Sequence, residues 1–243
     1  PAMRPFVGAP QASVIGRSDR VDALNAALFN GISSHVLDFD DTHMATLVHP
    51  SGPVLSALLA LAEYQPIDGN TFVEAIVFGI EVECRIALGV CPAHYDIGWH
   101  VTGTVGGFGA AAAVGRALKL DAKQMAWALG IAATQAAGLR EVFGTMCKSL
   151  HPGRAAQSGL SAALMAQSGF TASINAIDGK FGYLALYASG ENMSPALAAL
   201  GQTCKGPLEI DAMGIDIKKY PCCYAIHRAL DGLLTLRKAH ALT

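Results

Sequence analysis

Gly98-Trp-His-Val-Thr-Gly103-Thr-Val-Gly106-Gly107-Phe-Gly109, running on through Ala110-Ala-Ala-Ala-Val-Gly115, is the stretch whose reading decides the fold. Its glycine spacing invites two interpretations, a dinucleotide-binding turn or a helix packed tightly against its neighbours. A dinucleotide turn needs a strand before it and a ribose-binding acid beyond it at the right distance. Neither is present. The small residues therefore predict a helix over roughly Thr102–Leu118 that lets other helices approach closely. His100 sits just ahead of that helix, where backbone N–H groups favour an anion. A histidine in an apolar stretch is as often a satisfied core group as a catalyst, and both readings stay open here. The same segment, Ile97–Gly115, is a long uncharged one, but six glycines, two threonines and His100 make it a poor membrane span.

Composition extends the picture. The 243 residues are 52% hydrophobic and 15% charged, with mean hydropathy +0.36, net charge −2 and a pI near 6.5. A chain this apolar can bury enough surface to offset its ordering entropy, which excludes disorder. A near-neutral charge argues against nucleic-acid or anionic-membrane partners, which call for a basic face. No secretory pattern opens the chain. The six cysteines form no CxxC pair, and the adjacent Cys222 and Cys223 lack zinc or iron–sulfur spacing. Free thiols in a reducing, cytoplasmic compartment are expected.

Periodicity and caps divide the rest of the chain. Pro1–Gly16 reads as a connecting stretch. Ser18 is the expected cap of a helix through Ala23–Val36, whose apolar positions Leu24, Leu28, Ile32 and Val36 follow helical spacing. Pro53 is expected to start a helix over Val54–Tyr64, and Thr71 with Glu74 has capping-box spacing for one reaching Leu88. Asp121 and Gln124 open Gln124–Leu139, Pro152 starts a helix ending near Gly169, and Ser194-Pro195 starts a short one closed by Gly201. Beyond Gly206 the texture changes: Leu208–Asp211 and Ile215–Lys218 alternate like short strands, followed by a helix over Tyr224–Ala239. The expectation is mainly α, with a large all-helical domain over residues 1–205 and the start of a smaller α/β domain over 206–243.

Ionisable residues collect in four places. The first holds His35, Asp38, Asp40, Asp41, Thr42, His43 and His49; such a set could bind a divalent metal, supply general bases or cap a loop. The second is His100. The third, Met146-Cys-Lys148-Ser-Leu-His151-Pro-Gly-Arg154, sets cations beside a helix start, suited to a carboxylate or phosphate. The fourth, Lys218-Lys219-Tyr220-Pro221-Cys222-Cys223-Tyr224-Ala-Ile-His227, brings Lys, Cys and His to one turn, although Cys223 and His227 one helical turn apart do not activate a thiol. Together the clusters offer imidazoles, cations and carboxylates without a phosphate loop or metal-ligand spacing. That set suits a small polycarboxylate whose Cα–H is removed by a neutral base while lysines hold the carboxylates.

Five motifs in one order, Asp38-Phe-Asp-Asp-Thr42, His49-Pro50-Ser51, Gly98-Trp99-His100, the Lys148 loop and Lys218-x-Tyr-Pro-x-Cys223-x-x-x-His227, resemble the MmgE/PrpD family of 2-methylcitrate dehydratases, cis-aconitate decarboxylases and iminodisuccinate epimerases. The resemblance covers essentially the whole chain. It implies a helical domain with an α/β lid domain, a homodimer, and cofactor-free, metal-free chemistry on di- or tricarboxylates. Asp38, Thr42, His49, His100, Lys148 and Lys218 match active-site positions of the decarboxylase branch, with His100 leading for proton transfer and Lys148 and Lys218 for carboxylate binding; the third cluster adds His151 as a carboxylate-binding candidate. His43, Cys223 and His227 are accessory candidates. One extra residue separates Thr42 from His49, and Cys223 stands where the decarboxylase branch has a histidine. A thiol is the poorer proton donor, so dehydration of a hydroxy-tricarboxylate such as 2-methylcitrate leads, ahead of epimerisation of an amino-dicarboxylate and of decarboxylation. A catalytically inactive helical dimerisation protein is the non-enzyme reading. Family members run to about twice this length, so the chain is expected to lack an N-terminal helical segment, most of the lid and a C-terminal part.

Overall fold

Aspartates start three of the helices. Asp22, Asp68 and Asp121 each accept a hydrogen bond from the backbone N–H three residues on, at Asn25, Thr71 and Gln124. Each satisfies a donor that the helix leaves orphaned. In the computed structural model, which describes residues 2–188 and 207–242, these caps open α1 (Ala23–His35), α3 (Gly69–Leu88) and α6 (Ala122–Ala133). The others are α2 (Ser51–Tyr64), α4 (Ala93–Asp96), α5 (Val101–Ala117), α7 (Cys147–Gln167), α8 (Tyr183–Tyr187) and α9 (His227–Ala239). The fold is mainly α, as the sequence predicts.

Helix α5 is the centre. Every residue from Val101 to Gly115 is buried, and α3 and α7 pack along it. Small side chains make the approach possible. A Cβ on Gly159 of α7 would come within 2.4 Å of the Ala110 Cβ, and one on Gly31 of α1 within 2.6 Å of the Gly153 Cα. These glycines bring helix backbones together with no room for a methyl group. The helical reading of the Gly/Ala stretch therefore holds, and no strand leads directly into it.

Two small antiparallel sheets complete the architecture. β1 (Ala12–Ser13) pairs with β2 (Arg20–Val21), and β3 (Asp41–His43) pairs with β4 (Ile215–Ile217) in the register Asp41↔Ile217, Thr42↔Asp216 and His43↔Ile215. The second pairing ties the C-terminal segment to the loop between α1 and α2.

Several local expectations change. Ser18 lies before β2 and Asp22 caps α1, because the intervening residues turn the β1–β2 hairpin, where Val14 N–H bonds the Asp19 carbonyl. The stretch expected only to connect thus carries β1. Asp68, three residues before Thr71, is the cap of α3. Helix α6 stops at Ala133, not Leu139, because Gly138 turns to φ +152 and residues 98–100 pair with 138–140. Helix α7 begins at Cys147, five residues before Pro152; a proline early in a helix forfeits a single backbone bond. Leu208–Asp211 is not a strand. The segment winds into a helical turn, Ile210–Gly214, as the Glu209 N–H reaches Glu81 Oε2 at 2.6 Å. The predicted Ser194–Gly201 helix and Cys204 lie outside the described residues. No disulfide joins the described cysteines, and no described helix is long and apolar enough to cross a membrane.

Candidate active site

Chain geometry places His35 on the last turn of α1 and lets the backbone reverse at Asp38, which takes a left-handed φ of +50. Aspartate tolerates that conformation better than most residues. Asp40 follows and meets His35, Oδ2 to Nδ1 at 2.5 Å. The β3–β4 pairing then delivers Lys218. Its fully buried ammonium donates to Asp38 Oδ1 at 2.8 Å, Asp40 Oδ1 at 2.9 Å and the Asp38 carbonyl at 3.2 Å. From the first turn of α7, Lys148 donates to the same Asp38 oxygen at 3.0 Å.

Three imidazoles stand beside these pairs. His49 Nδ1 lies 2.6 Å from the Asp41 carbonyl and 3.1 Å from Thr42 Oγ1, while its backbone N–H donates to Thr102 Oγ1 of α5 at 3.0 Å. A carbonyl only accepts, so His49 carries its proton on Nδ1 and keeps Nε2 as a base. Ring centroids separate His35 and His49 by 4.9 Å, His35 and His100 by 6.1 Å, and His49 and His100 by 6.4 Å. His100 stands perpendicular to the Phe143 ring, and its Nδ1 is 2.7 Å from His151 Nδ1.

Electrostatics divide the groups into charged pairs and neutral bases. Burial works to raise the Asp40 pKa, but the His35 hydrogen bond and the His49, His35 and Lys218 charges outweigh it and hold the carboxyl far below its ordinary range. Asp38 is likewise held low against burial by Lys218 and Lys148, and Lys218 is held above the ordinary lysine value by both carboxylates. Burial pushes His49 down to about 4. His100 falls well below the ordinary value through burial and the His151, His49, His35 and Lys148 charges. These two imidazoles are neutral at pH 7, a base's state.

Ligand atoms of His35, His49 and His100, and of His35, Asp38, Asp40 and His49, lie within 4.8 Å of one another, near enough to meet on one cation. Lys218 already holds the two carboxylates, so a metal using them would have to displace a buried positive group. The donor set, with a second ammonium at Lys148, is better matched to an anion.

Of the residues singled out from sequence, Asp38, Thr42, His49, His100, Lys148, His151 and Lys218 gather here. His43 points to the other side of β3, where Nδ1 meets Thr46 Oγ1 at 2.9 Å and Nε2 lies 3.3 Å from Glu209 Oε2. Adjacent strand residues face opposite ways, so Thr42 and His43 cannot serve one site together. Cys223 is exposed, and His227 stays within its own segment, with Nε2 3.2 Å from the Tyr220 carbonyl and its ring against Tyr220 and Tyr224. His35 and Asp40, part of the first cluster but not singled out, prove central. Their five-residue separation gave no sign that the end of α1 would fold them together.

Buried neutral imidazoles stand beside paired lysines and carboxylates, a donor set with the chemistry of a general base and of anion binding. The chain belongs to the MmgE/PrpD family: the profile of the MmgE/PrpD N-terminal domain matches residues 2–196. It is 33% identical to the cis-aconitate decarboxylase of Homo sapiens over 236 residues, which are 93% of this chain and 47% of that protein. It is 34% identical to the cis-aconitate decarboxylase of Mus musculus over 241 residues, 96% of this chain and 47% of that protein. The cis-aconitate decarboxylase of Aspergillus terreus is 29% identical over 241 residues, 93% and 48% of the two. The chain thus spans about half the length of the curated relatives it matches.

Proposed function

We propose that this chain carries the base and carboxylate-binding half of a cofactor-independent lyase that acts on a small di- or tricarboxylate by removing a Cα proton. The observation carrying this reading is the pair of desolvated, neutral imidazoles, His49 and His100, beside Lys148 and Lys218. Lys148, half-buried with one carboxylate partner, turns from Asp38 to a substrate carboxylate, and Lys218 stabilises the charge that develops on the acid. His100 takes the Cα proton. The C–O bond then breaks, and the departing hydroxide leaves protonated as water. Thr42 and the Asp41 carbonyl orient His49, and Asp38 and Asp40 fix both lysines.

Dehydration of a hydroxy-tricarboxylate such as 2-methylcitrate leads because the imidazoles are bases at neutral pH, whereas decarboxylation asks for a proton donor to the carbanion. The names of the relatives favour a second reading, loss of carbon dioxide from cis-aconitate. The purified protein incubated with 2-methylcitrate, citrate and cis-aconitate separates them. Dehydration raises ultraviolet absorbance as the conjugated alkene forms; release of carbon dioxide from cis-aconitate alone would replace the first reading with the second. Proton–deuterium exchange at Cα without a leaving group would point to an epimerase. No change with any substrate would sink all three and leave the inactive dimerisation protein.

The same reading makes residues 1–205 the helical unit and 206–243 the beginning of the lid domain, in a cytoplasmic homodimer. Exposed Leu233, Leu234, Leu236 and Ile217 support it as apolar surface that further chain or a second subunit would cover.

A further inference from the structure

His100 has a problem that His35 does not. When it takes a proton it becomes an imidazolium in a buried position, and among the described residues no carboxylate forms an ion pair with it. His35 has Asp40 at 2.5 Å. The groups facing His100 are His35 and His49, Lys148, the Phe143 ring and His151, and none is an anion. A charge left there is costly.

The geometry gives that charge a way out. His100 Nδ1 and His151 Nδ1 are 2.7 Å apart, a hydrogen bond in which one ring must donate and the other accept. His151 is half-buried and lines a cavity of about 280 Å³ between α5, α6 and α7, whose other walls include Gln135, Arg154 and Ser158. Two glycines border the contact. A Cβ on Gly138 would lie 3.4 Å from His151 Nδ1, and one on Gly103 3.2 Å from the His151 Cβ. Gly138 also holds φ +152, which side chains rarely adopt. Lys148 and His35 keep His151 readier to release a proton than an ordinary histidine, after burial itself.

We propose that His151 is a proton relay between His100 and the α5–α6–α7 cavity, and not a ligand for the substrate; the role rests on the lyase reading above. In the resting pair His100 holds its proton on Nδ1 and donates it to His151, whose own proton is on Nε2 toward the cavity. As His100 Nε2 takes the Cα proton, the Nδ1 proton passes to His151 Nδ1 and the His151 Nε2 proton passes to cavity water. When the C–O bond breaks, His100 Nε2 gives its proton to the departing hydroxide. The proton on His151 Nδ1 returns to His100, and cavity water reprotonates His151 Nε2. One substrate becomes one alkene and one water, and both rings are restored.

The test has two arms. In the substrate-free protein, ring-resolved ¹⁵N spectra should show His100 protonated at Nδ1, His151 at Nε2, and linked titrations; two Nε2–H tautomers titrating independently would overturn the relay whatever the turnover. In the second arm, His151→Asn can still accept from His100 but cannot pass a proton on. Its kcat should fall by about 100-fold with KM little changed, and the multi-proton solvent isotope dependence should become that of a single proton. His151→Gly should regain activity with added imidazole, which the cavity can admit. Unchanged kcat in His151→Asn, or a change in KM alone, overturns the relay but leaves the lyase reading standing. No turnover by the wild-type protein on any polycarboxylate removes the reading, and the relay with it.

Discussion

Lys218 Nζ lies 2.8 Å from Asp38 Oδ1 across 180 residues of chain, and the same ammonium lies 2.9 Å from Asp40 Oδ1. Three charges packed this closely, with the lysine fully buried, hold the loop after α1 against the β3–β4 sheet. Replacing Lys218 by Met takes the shared ammonium from between the two carboxylates and leaves Lys148, on Asp38 alone, to face them. The expected loss is about 3 kcal/mol of unfolding free energy, the scale for breaking a buried pair by removing one partner. Urea unfolding reads it; a change below about 1 kcal/mol would show that the triad is relaxed by solvent.

Asp40 gives that network a pH signature. Its folded-state pKa is depressed, so its contribution is present above the unfolded carboxylate value of about 3.9 and is lost as pH falls through the folded value. Asp40→Asn should therefore be less stable than wild type at pH 7, with the gap closing below about pH 4. A gap independent of pH would assign the loss to packing and not to charge.

Glu83 predicts the opposite slope. It is wholly buried at the α3–α5 contact, neither carboxylate oxygen has a hydrogen-bond partner among the described residues, and burial followed by the Asp41 charge raises its pKa well above the ordinary value. The folded state keeps the proton, so stability falls as pH rises beyond about 4.3, the unfolded value. Asp41, raised to about 6, acts in the same direction. In thermal melts, Glu83→Gln should match wild type near pH 4 and exceed it increasingly toward pH 8. A wild-type advantage at pH 8 would contradict a neutral buried acid.

On the proposed lyase reading, His49 should set the acid limb of activity. Its pKa of about 4 keeps it neutral through the mildly acidic range. If it contributes as a base, kcat/KM should hold down to about pH 5 and bend near 4, below the ordinary histidine value of about 6.5. An inflection at 6.5 would mean that the imidazole is solvated in the working enzyme.

Gly153 tests the scaffold. A Cβ there would come 2.5 Å from the Leu28 carbonyl oxygen and 2.7 Å from Ile32 Cγ1. Gly153→Ala should cost about 1–3 kcal/mol through overpacking. It should also lower kcat, because α1 carries His35 and α7 carries Lys148 and His151. Full stability and activity would show that the two helices part without consequence.

Much of the fold was legible because its causes are local. Asp121 and Gln124 form the capping box their spacing announces, and the small residues from Gly103 to Gly115 pack as a central helix. The order of Asp38, Thr42, His49, His100, Lys148 and Lys218 was enough to identify the family. Where local signals competed, the sequence alone misled. Pro152 reads as a helix start until α7 is seen to accept it in its second turn, and Leu208–Asp211 alternates like a strand until Glu209 is drawn onto Glu81 and Arg85.

Only tertiary structure decided which histidines work together. Nothing between His100 and His151 in sequence states that their Nδ1 atoms meet, because that contact depends on the crossing of α5 with α7, beside glycines at 103 and 138. His43 and His49 looked alike until β3 turned one toward Glu209 and the Asp41 carbonyl held the other in the cluster. Caps and periodicities are set by a few bonds within one turn of chain. Contacts fifty or more residues apart are set by how whole helices pack, and the distances that make imidazoles into a site belong to that second kind of cause.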